Sequence, residues 1–331
     1  MEQLIGSKSY EQSAGYRHNA GWPKLSAADF ERTSPDMHWQ VIGGDGSVQA
    51  RCSLWWQGIP AYVDQKLGLI GHYAADNDAA AAIVLRQALA HLRAQGCTFA
   101  AGPIDGSTWE SYRFVTQRSP EAPFFLEPDQ PDAWPEHFRA HGFAALANYA
   151  SALCTNLTHR LASVARVRER LCRLGISLRQ LNQVDPIADL QAIYRLSTTS
   201  FRHNFLQGPI SEAAFVQKYQ ALLPYIDPTL VVLAEHAYQL VGFVFSVPNQ
   251  LQTQRGEQLD TLIIKTVAID PEAQYRGLGA VLIEEIQLTA HQCGYQRAIH
   301  ALMHETNRSS YLSQRYDAST IRCYKLFGRY L

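Results

Sequence analysis

The chain has 331 residues, which at roughly 150 residues per domain points to two domains. With 47% apolar and 18% charged residues it is too apolar for a disordered chain. Twenty-nine Lys+Arg against 30 Asp+Glu leave a formal charge of −1, which argues against a surface built for nucleic acid or an anionic membrane. The apolar run Ala79 to Leu85 is far shorter than the ~20 residues that span a bilayer. Met1 to Lys8 show no basic segment joined to a long apolar one, so no secretory leader is expected and the chain reads as cytoplasmic. Six cysteines stand singly, without a Cys-x-x-Cys pair or a zinc-like spacing, as buried thiols do in a reducing compartment.

The first 35 residues are polar and irregular and read as a loose arm anchored by Tyr16 and Trp22. Strands are predicted over Met37–Ile42, Ala50–Trp56 and Leu67–Ala74. A helix follows over Ala79–Gln95, with Asp78 as its N-cap and Gly96 as its stop, and then a strand over Thr98–Ala101. Pro-rich sequence from Ser119 to Pro135 marks a surface segment. The chain is extended between Phe143 and Leu157 and helical from Arg160 to Leu174. This places domains at 1–158 and 176–331, joined by a connecting helix over 159–175.

The second half repeats the plan of the first. A strand at Ile176–Leu181 precedes helices at Ile187–Phe201 and Ser211–Leu223. Strands follow at Leu230–Glu235, Leu240–Val247 and Thr261–Ile269, then a helix at Leu278–Cys293, a strand at Arg297–Met303, a short helix after Asn307 and a strand at Ile321–Leu326. The strands cluster in meanders. The fold class is therefore α/β (α+β), each half a mixed, largely antiparallel twisted sheet flanked by helices.

One segment carries chemistry. Asp270-Pro271 ends the strand Thr261–Ile269, and Gln274-Tyr275-Arg276-Gly277-Leu278-Gly279-Ala280 leads straight into a helix. Successive N–H groups at a helix start converge at the positive end of its dipole and suit a phosphate. A plain strand-to-helix turn is the competing reading of two glycines. A Rossmann loop needs a third glycine, and a Walker loop needs Gly-Lys-Ser/Thr.

The segment resembles the Gln/Arg-x-x-Gly-x-Gly/Ala loop of the GNAT superfamily of acyl-CoA N-acyltransferases, and the order of elements from Ile176 to Leu331 resembles that family too. The resemblance implies acetyl-CoA as co-substrate and no metal. It implies that the backbone of Val267, Ala268 and Ile269 pairs with the pantetheine arm. The N–H groups from Tyr275 to Ala280 would take the pyrophosphate beside Gln274 and Arg276, with Asn307 near the end of the arm. Acceptor specificity would fall to Phe201 and Asn204. The family often uses a Tyr about seven residues after the Asn as acid, but counting from Asn307 reaches Ser313 and Gln314. Tyr316 is preferred as acid, with Tyr311 on the other side of that position. His304 and Glu305, at the mouth of a strand, are the candidate bases.

The first half resembles an eroded copy of the same fold. Its equivalent loop, Ala74-Ala75-Asp76-Asn77-Asp78, has no glycine and carries two carboxylates that would repel a pyrophosphate. That half is expected to complete a pseudo-dimer and shape the acceptor cleft through Asp105, Trp109 and Tyr112. The function read from this is N-acetyl transfer from acetyl-CoA to a primary amine, in a small molecule or a peptide, by direct attack. A non-catalytic acyl-CoA-binding or regulatory module is the alternative, and an aminoacyl-tRNA-linked acyltransferase a further one. No nucleic acid or membrane partner is expected, and the chain is either a monomer with pseudo-dimeric halves or a homodimer.

Overall fold

Short β-branched and aromatic runs alternating with polar turns assemble one continuous sheet in the computed structural model, which describes residues 2–13, 16–60 and 62–331. The first half runs β1 (Gln3–Ser7), α1 (Tyr10–Ser13), α2 (Ala27–Thr33), β2 (Met37–Ile42), β3 (Val48–Trp55), β4 (Leu67–Ala75), α3 (Asp78–Ala94), β5 (Phe99–Gly102), β6 (Phe114–Arg118), α4 (Ala133–Ala140) and β7 (Ala144–Cys154). A connecting helix α5 (Ala162–Arg173) follows. The second half runs β8 (Ser177–Gln180), α6 (Pro186–Ser200), α7 (Glu212–Gln220), β9 (Val231–His236), β10 (Gln239–Pro248), α8 (Gln250–Gln254), β11 (Thr261–Ile269), α9 (Leu278–Gln292), β12 (Arg297–His304), α10 (Arg308–Gln314) and β13 (Ser319–Tyr330).

The sheet order is β1-β2-β3-β4-β5-β13-β7-β12-β11-β10-β9-β8, with β6 on β13. Only β4–β5 and β11–β12 pair in parallel among the described strands, and each pair is bridged by a crossover helix, α3 or α9. These helices bury opposite cores. Val84, Leu85, Leu89 and Leu92 of α3 pack on the first half, and Leu278, Leu282, Ile283 and Ile286 of α9 on the second. No helix among the described residues is long and apolar enough to cross a membrane.

The last strand of each half lies in the other half's share of the sheet. β13 pairs with β5, from Phe327↔Gly102 to Tyr330↔Phe99, while β7 pairs with β12, from Ala298↔Cys154 to His304↔Tyr149. β7 and β13 then pair with each other along most of their length. The sheet therefore does not divide at the 158/176 boundary drawn from the sequence. Charge pins the seam. Arg322 of β13 is buried 3.3 Å from the Glu127 carboxylate, which also accepts the Tyr324 hydroxyl. A buried pair of this kind stabilises little by itself, but breaking it leaves an uncompensated charge.

Three local readings change. The N-terminal arm is ordered where described: β1 adds to β2, from Gln3↔Ile42 to Ser7↔His38, and α2 carries a Ser26–Asp29 capping box. The N-cap of α3 is Asn77, whose side chain accepts the Ala80 N–H at 2.9 Å, and not Asp78. β6 and α8 had no periodic signal. Because neither half closes its own sheet, residues 1–158 and 159–331 expressed separately are expected to lack a cooperative unfolding transition. Co-expressed, they should form a one-to-one complex with a single transition, checked by size exclusion and circular dichroism melts.

Candidate active site

The site exists because two neighbouring strands part. β11 and β12 pair from Thr261↔Arg297 to Ile264↔His300 and then separate. Each carries an irregularity at that point. Against β10, the register jumps from Phe245↔Thr266 to Ser246↔Ile264, so Lys265 is the extra residue of a bulge. Against β7, β12 slips between His300 and Met303, with Leu302 at φ 57°. Bulges raise local twist and turn a strand away from its partner. Beyond Ile264, the β11 edge that faces β12 is left without a strand partner, which is a template for an extended ligand.

The edge leads to the start of α9. Tyr275 is buried, with its hydroxyl 2.9 Å from His236 Nδ1, and anchors the loop. From α5, Arg170 donates to the carbonyl of Gln274 at 2.7 Å and to that of Arg276. Tyr275, Arg276 and Ala280 spend their N–H groups inside the loop, on the carbonyls of Glu272, Ala273 and Gly277. Gly277, Leu278 and Gly279 keep theirs without an acceptor among the described residues, and α9 has no side-chain cap. The N–H groups left free to meet a ligand are thus three, fewer than the Tyr275–Ala280 run expected from the sequence.

The two glycines have different reasons. Gly277 sits at φ 91°, and a Cβ there would lie 2.9 Å from Val167 Cγ1 of α5. A Cβ on Gly279 would meet Ile269 Cγ1 and Val267 Cγ1 at 3.7 and 3.9 Å, ordinary contact distances. The fold itself dictates the first glycine, while at the second it leaves room.

Edge, loop and the side walled by Trp109 and Phe201 open into one cleft of about 1760 Å³. Val267, Ile269, Tyr275, Arg276, Gly277, Gly279, Ala280 and Asn307 line it, as do Phe201, Asn204, Trp109, Tyr112 and His304. The side chains of Ala268 and Leu278 turn into the core, so only their backbones belong to the edge and the helix start. Gln274 is exposed beside the loop, with its amide on Glu272.

Three expected residues lie elsewhere. Tyr316 is 1% exposed, with its hydroxyl 3.2 Å from Glu284 Oε1 of α9, so it packs behind the cleft and not in it. The tyrosine of α10 that faces the cleft is Tyr311, 66% exposed. Glu305 points to solvent and accepts from the Asn148 amide. Asp105 turns into the first half, where Oδ1 accepts the His72 N–H at 2.6 Å and burial pushes its carboxyl up to about 6. His304 does line the cleft, but its Nδ1 accepts the Thr306 N–H at 3.2 Å. The neutral ring therefore carries its proton on Nε2 and is set to donate, and burial lowers its pKa.

Sequence reasoning missed three cations of the cleft, Arg113, Lys218 and Lys265. Lys265 is held down to about 7 by burial, with Arg113 and Lys218 nearby adding repulsion. Lys218 is lowered to about 8 by burial, although it pairs with Glu110 at 2.9 Å. A lone charge inside the apolar strand Leu262-Ile263-Ile264-Lys265-Thr266-Val267-Ala268-Ile269 was the available signal.

In the first half the corresponding edge is filled by the chain itself. β4 and β5 pair from Leu67↔Phe99 to Leu69↔Ala101, after which Ile104 N–H donates to the Ile70 carbonyl at 2.9 Å and Asp105 takes the His72 N–H. A Cβ on Gly71 would lie 2.2 Å from the Ile104 carbonyl oxygen. At the start of α3 the Asn77 side chain takes the Ala80 N–H, and the carboxylates of Asp76 and Asp78 stand on either side of it in the chain.

Gly277→Ala is expected to cost about 1–2 kcal/mol from left-handed strain and crowding against Val167, and Gly279→Ala well under ~1 kcal/mol. Urea unfolding of both variants measures the difference. His300 is buried between Gln287 and Ser313, and burial lowers it from 6.5 to about 4. Its folded form stays neutral where the unfolded chain takes up a proton, so its contribution is lost as pH falls from 6.5 towards 4. His300→Gln should remove up to ~3 kcal/mol of that pH dependence, read from urea unfolding of variant and parent across the window.

Residues 190–328 match the Acetyltransferase (GNAT) family. None of the curated proteins matches the chain in sequence. Among solved structures, the tandem GNAT protein from the clavulanic acid biosynthesis pathway is 11% identical at a TM-score of 0.54, over 100% of this chain and 98% of that one. A GCN5-related N-acetyltransferase from Sphaerobacter thermophilus is 12% identical at 0.51, over 99% and 95%. The GCN5-related glucosamine N-acetyltransferase region of a fungal multi-domain GH3 β-N-acetylglucosaminidase is 12% identical at 0.56, over 99% of this chain. This chain spans 38% of that fungal protein. At such identities the likeness is one of fold.

Proposed function

From a chain that carries a GNAT acetyltransferase-family domain over residues 190–328, we propose N-acetyl transfer from acetyl-CoA to a primary amine by direct attack. The observation that carries this reading is the juxtaposition in one cleft of an unpaired β11 edge and three free N–H groups at the start of α9. The pyrophosphate would sit on Gly277, Leu278 and Gly279. The pantetheine arm would add to β11 as a strand along Val267 to Ile269 and bring the thioester towards the bulge.

The acceptor then approaches from the side walled by Trp109, Tyr112, Phe201 and Asn204. Its neutral amine attacks the thioester carbonyl. The C–N bond forms, the C–S bond breaks, the amine loses a proton and the sulfur leaves as the thiol. His304 Nε2–H and the Tyr311 hydroxyl are the donors available to the carbonyl oxygen and the departing sulfur. Among the described residues no cysteine lines the cleft, in keeping with direct transfer and no acyl-enzyme.

Calorimetric titration should give one acetyl-CoA site per chain. Two equivalent sites would overturn the reading of the first half, and binding without thiol release from any amine would leave a non-catalytic module. Gly279→Asp sets a carboxylate where the fold has room, against the pyrophosphate, and is expected to weaken acetyl-CoA by about 2 kcal/mol, roughly 30-fold. Tyr311→Phe should lower kcat about 10- to 100-fold with acetyl-CoA affinity kept, whereas Tyr316→Phe should move stability more than rate.

A further inference from the structure

Arg113 and Lys265 face the same part of the cleft, one from each half of the chain. Arg113 is 6% exposed, and its guanidinium is stacked between the Tyr112 and Tyr149 rings at 3.7 and 3.8 Å. Its Nε and Nη1 donate to the carbonyls of Tyr112 and Leu302, both at 3.2 Å, which leaves Nη2 pointing at no acceptor among the described residues. Lys265 stands out of β11 on the bulge and makes no ion pair among the described residues. The nearby acids are engaged elsewhere. Glu110 pairs with Arg32 and Lys218, and Glu127 with Arg322 and the Tyr324 hydroxyl.

Two cations that repel each other in a poorly hydrated, aromatic-walled space are unfavourable unless an anion joins them. Protein groups that could neutralise them are spent, while donors on both remain free. The planar edge of Arg113 and the point charge of Lys265 suit the two oxygens of one carboxylate. Lys265 also lies two residues before Val267, about 7 Å along the strand, close to where the arm's reactive end would arrive.

We propose that Arg113 and Lys265 bind a carboxylate of the acceptor, so that the substrate is an amino carboxylate with its amine and acid only a few bonds apart. This rests on the acetyltransferase reading above, and its test separates the two. Thiol release by the full chain is measured with the twenty proteinogenic amino acids, with dipeptides, and in parallel with the matching carboxamides and decarboxylated amines. At least one acid should exceed its carboxamide by about 100-fold in kcat/KM, the size of a lost charged hydrogen-bond partner. Free amino acids against dipeptides show which source of the carboxylate is used.

In Lys265→Met and Arg113→Gln that preference should fall below about fivefold, with the Kd for acetyl-CoA kept within about threefold. Arg113 packs between two rings, so its variant is checked by circular dichroism; Lys265→Met carries the test if Arg113→Gln fails to fold. Equal use of acids and carboxamides, a preference for phosphorylated amines, or an acid preference that survives in Lys265→Met overturns the proposal and leaves the transferase standing. If no amine releases thiol, the transferase reading fails. The carboxylate site is then judged by calorimetry of N-acetyl amino acids against their amides. Binding confined to the acids and lost in Lys265→Met upholds it, and equal or absent binding overturns it.

Discussion

The parting of β11 from β12 is the constraint on which the cleft depends. Two parallel strands that stayed paired to their ends would satisfy every backbone group and leave nothing for a ligand. Here the extra residue at Lys265 and the slip at Leu302 turn the strands apart after Ile264↔His300. The ends of the opening are held firmly. Leu302 N–H is taken by Ser151 Oγ at 3.0 Å, its carbonyl by Arg113, and the loop before α9 by Arg170 of the connecting helix. In the first half Ile104 and Asp105 close the same opening, so one fold yields a sealed version after β5 and an open one after β12.

The halves are not a working domain beside a spare one. β7 of the first half lines up against β12, and its Tyr149 stacks on Arg113 and meets the His304 ring edge to face. Trp109 Nε1–H donates to the Gly208 carbonyl at 2.8 Å and packs on Phe215, tying the loop of the first half to α7 and the segment before it. The first half thus supplies a wall of the cleft, a cation and the strand that pairs with β12.

Much of this was legible from residue pattern. β2 and β11 match their sequence ranges at both ends, and α9 starts at Leu278 as read. Alternation and apolar stripes report local structure well because each residue's face is fixed by its own neighbours in sequence. The turn from β11 into α9 was legible for the same reason, since a strand, a turn and a helix start are contiguous. What escaped was long-range. Nothing in Phe327 to Tyr330, beyond the strand read as ending at Leu326, says that the chain runs on to pair with β5, because register between strands remote in sequence is set by packing. Tyr316 was chosen by counting from Asn307, but α10 ends at Gln314, and the turn after it carries Tyr316 back onto Glu284 while Tyr311, on the helix, faces the cleft. Arg113 and Lys265 sit about 150 positions apart, and only the fold brings them together.

The exchange of last strands has a consequence for synthesis. When β5 emerges from the ribosome, the strand that will cover it, residues 319–330, is still more than 200 codons away. Through that interval the edges of β5 and β7 are both bare, and β7 offers an alanine-rich ladder to any strand that arrives first. Contacts of such sequence separation close late and slow a chain's folding. Until residues 319–330 are made both edges stay open, and loss of that one strand would leave both halves unfinished at once.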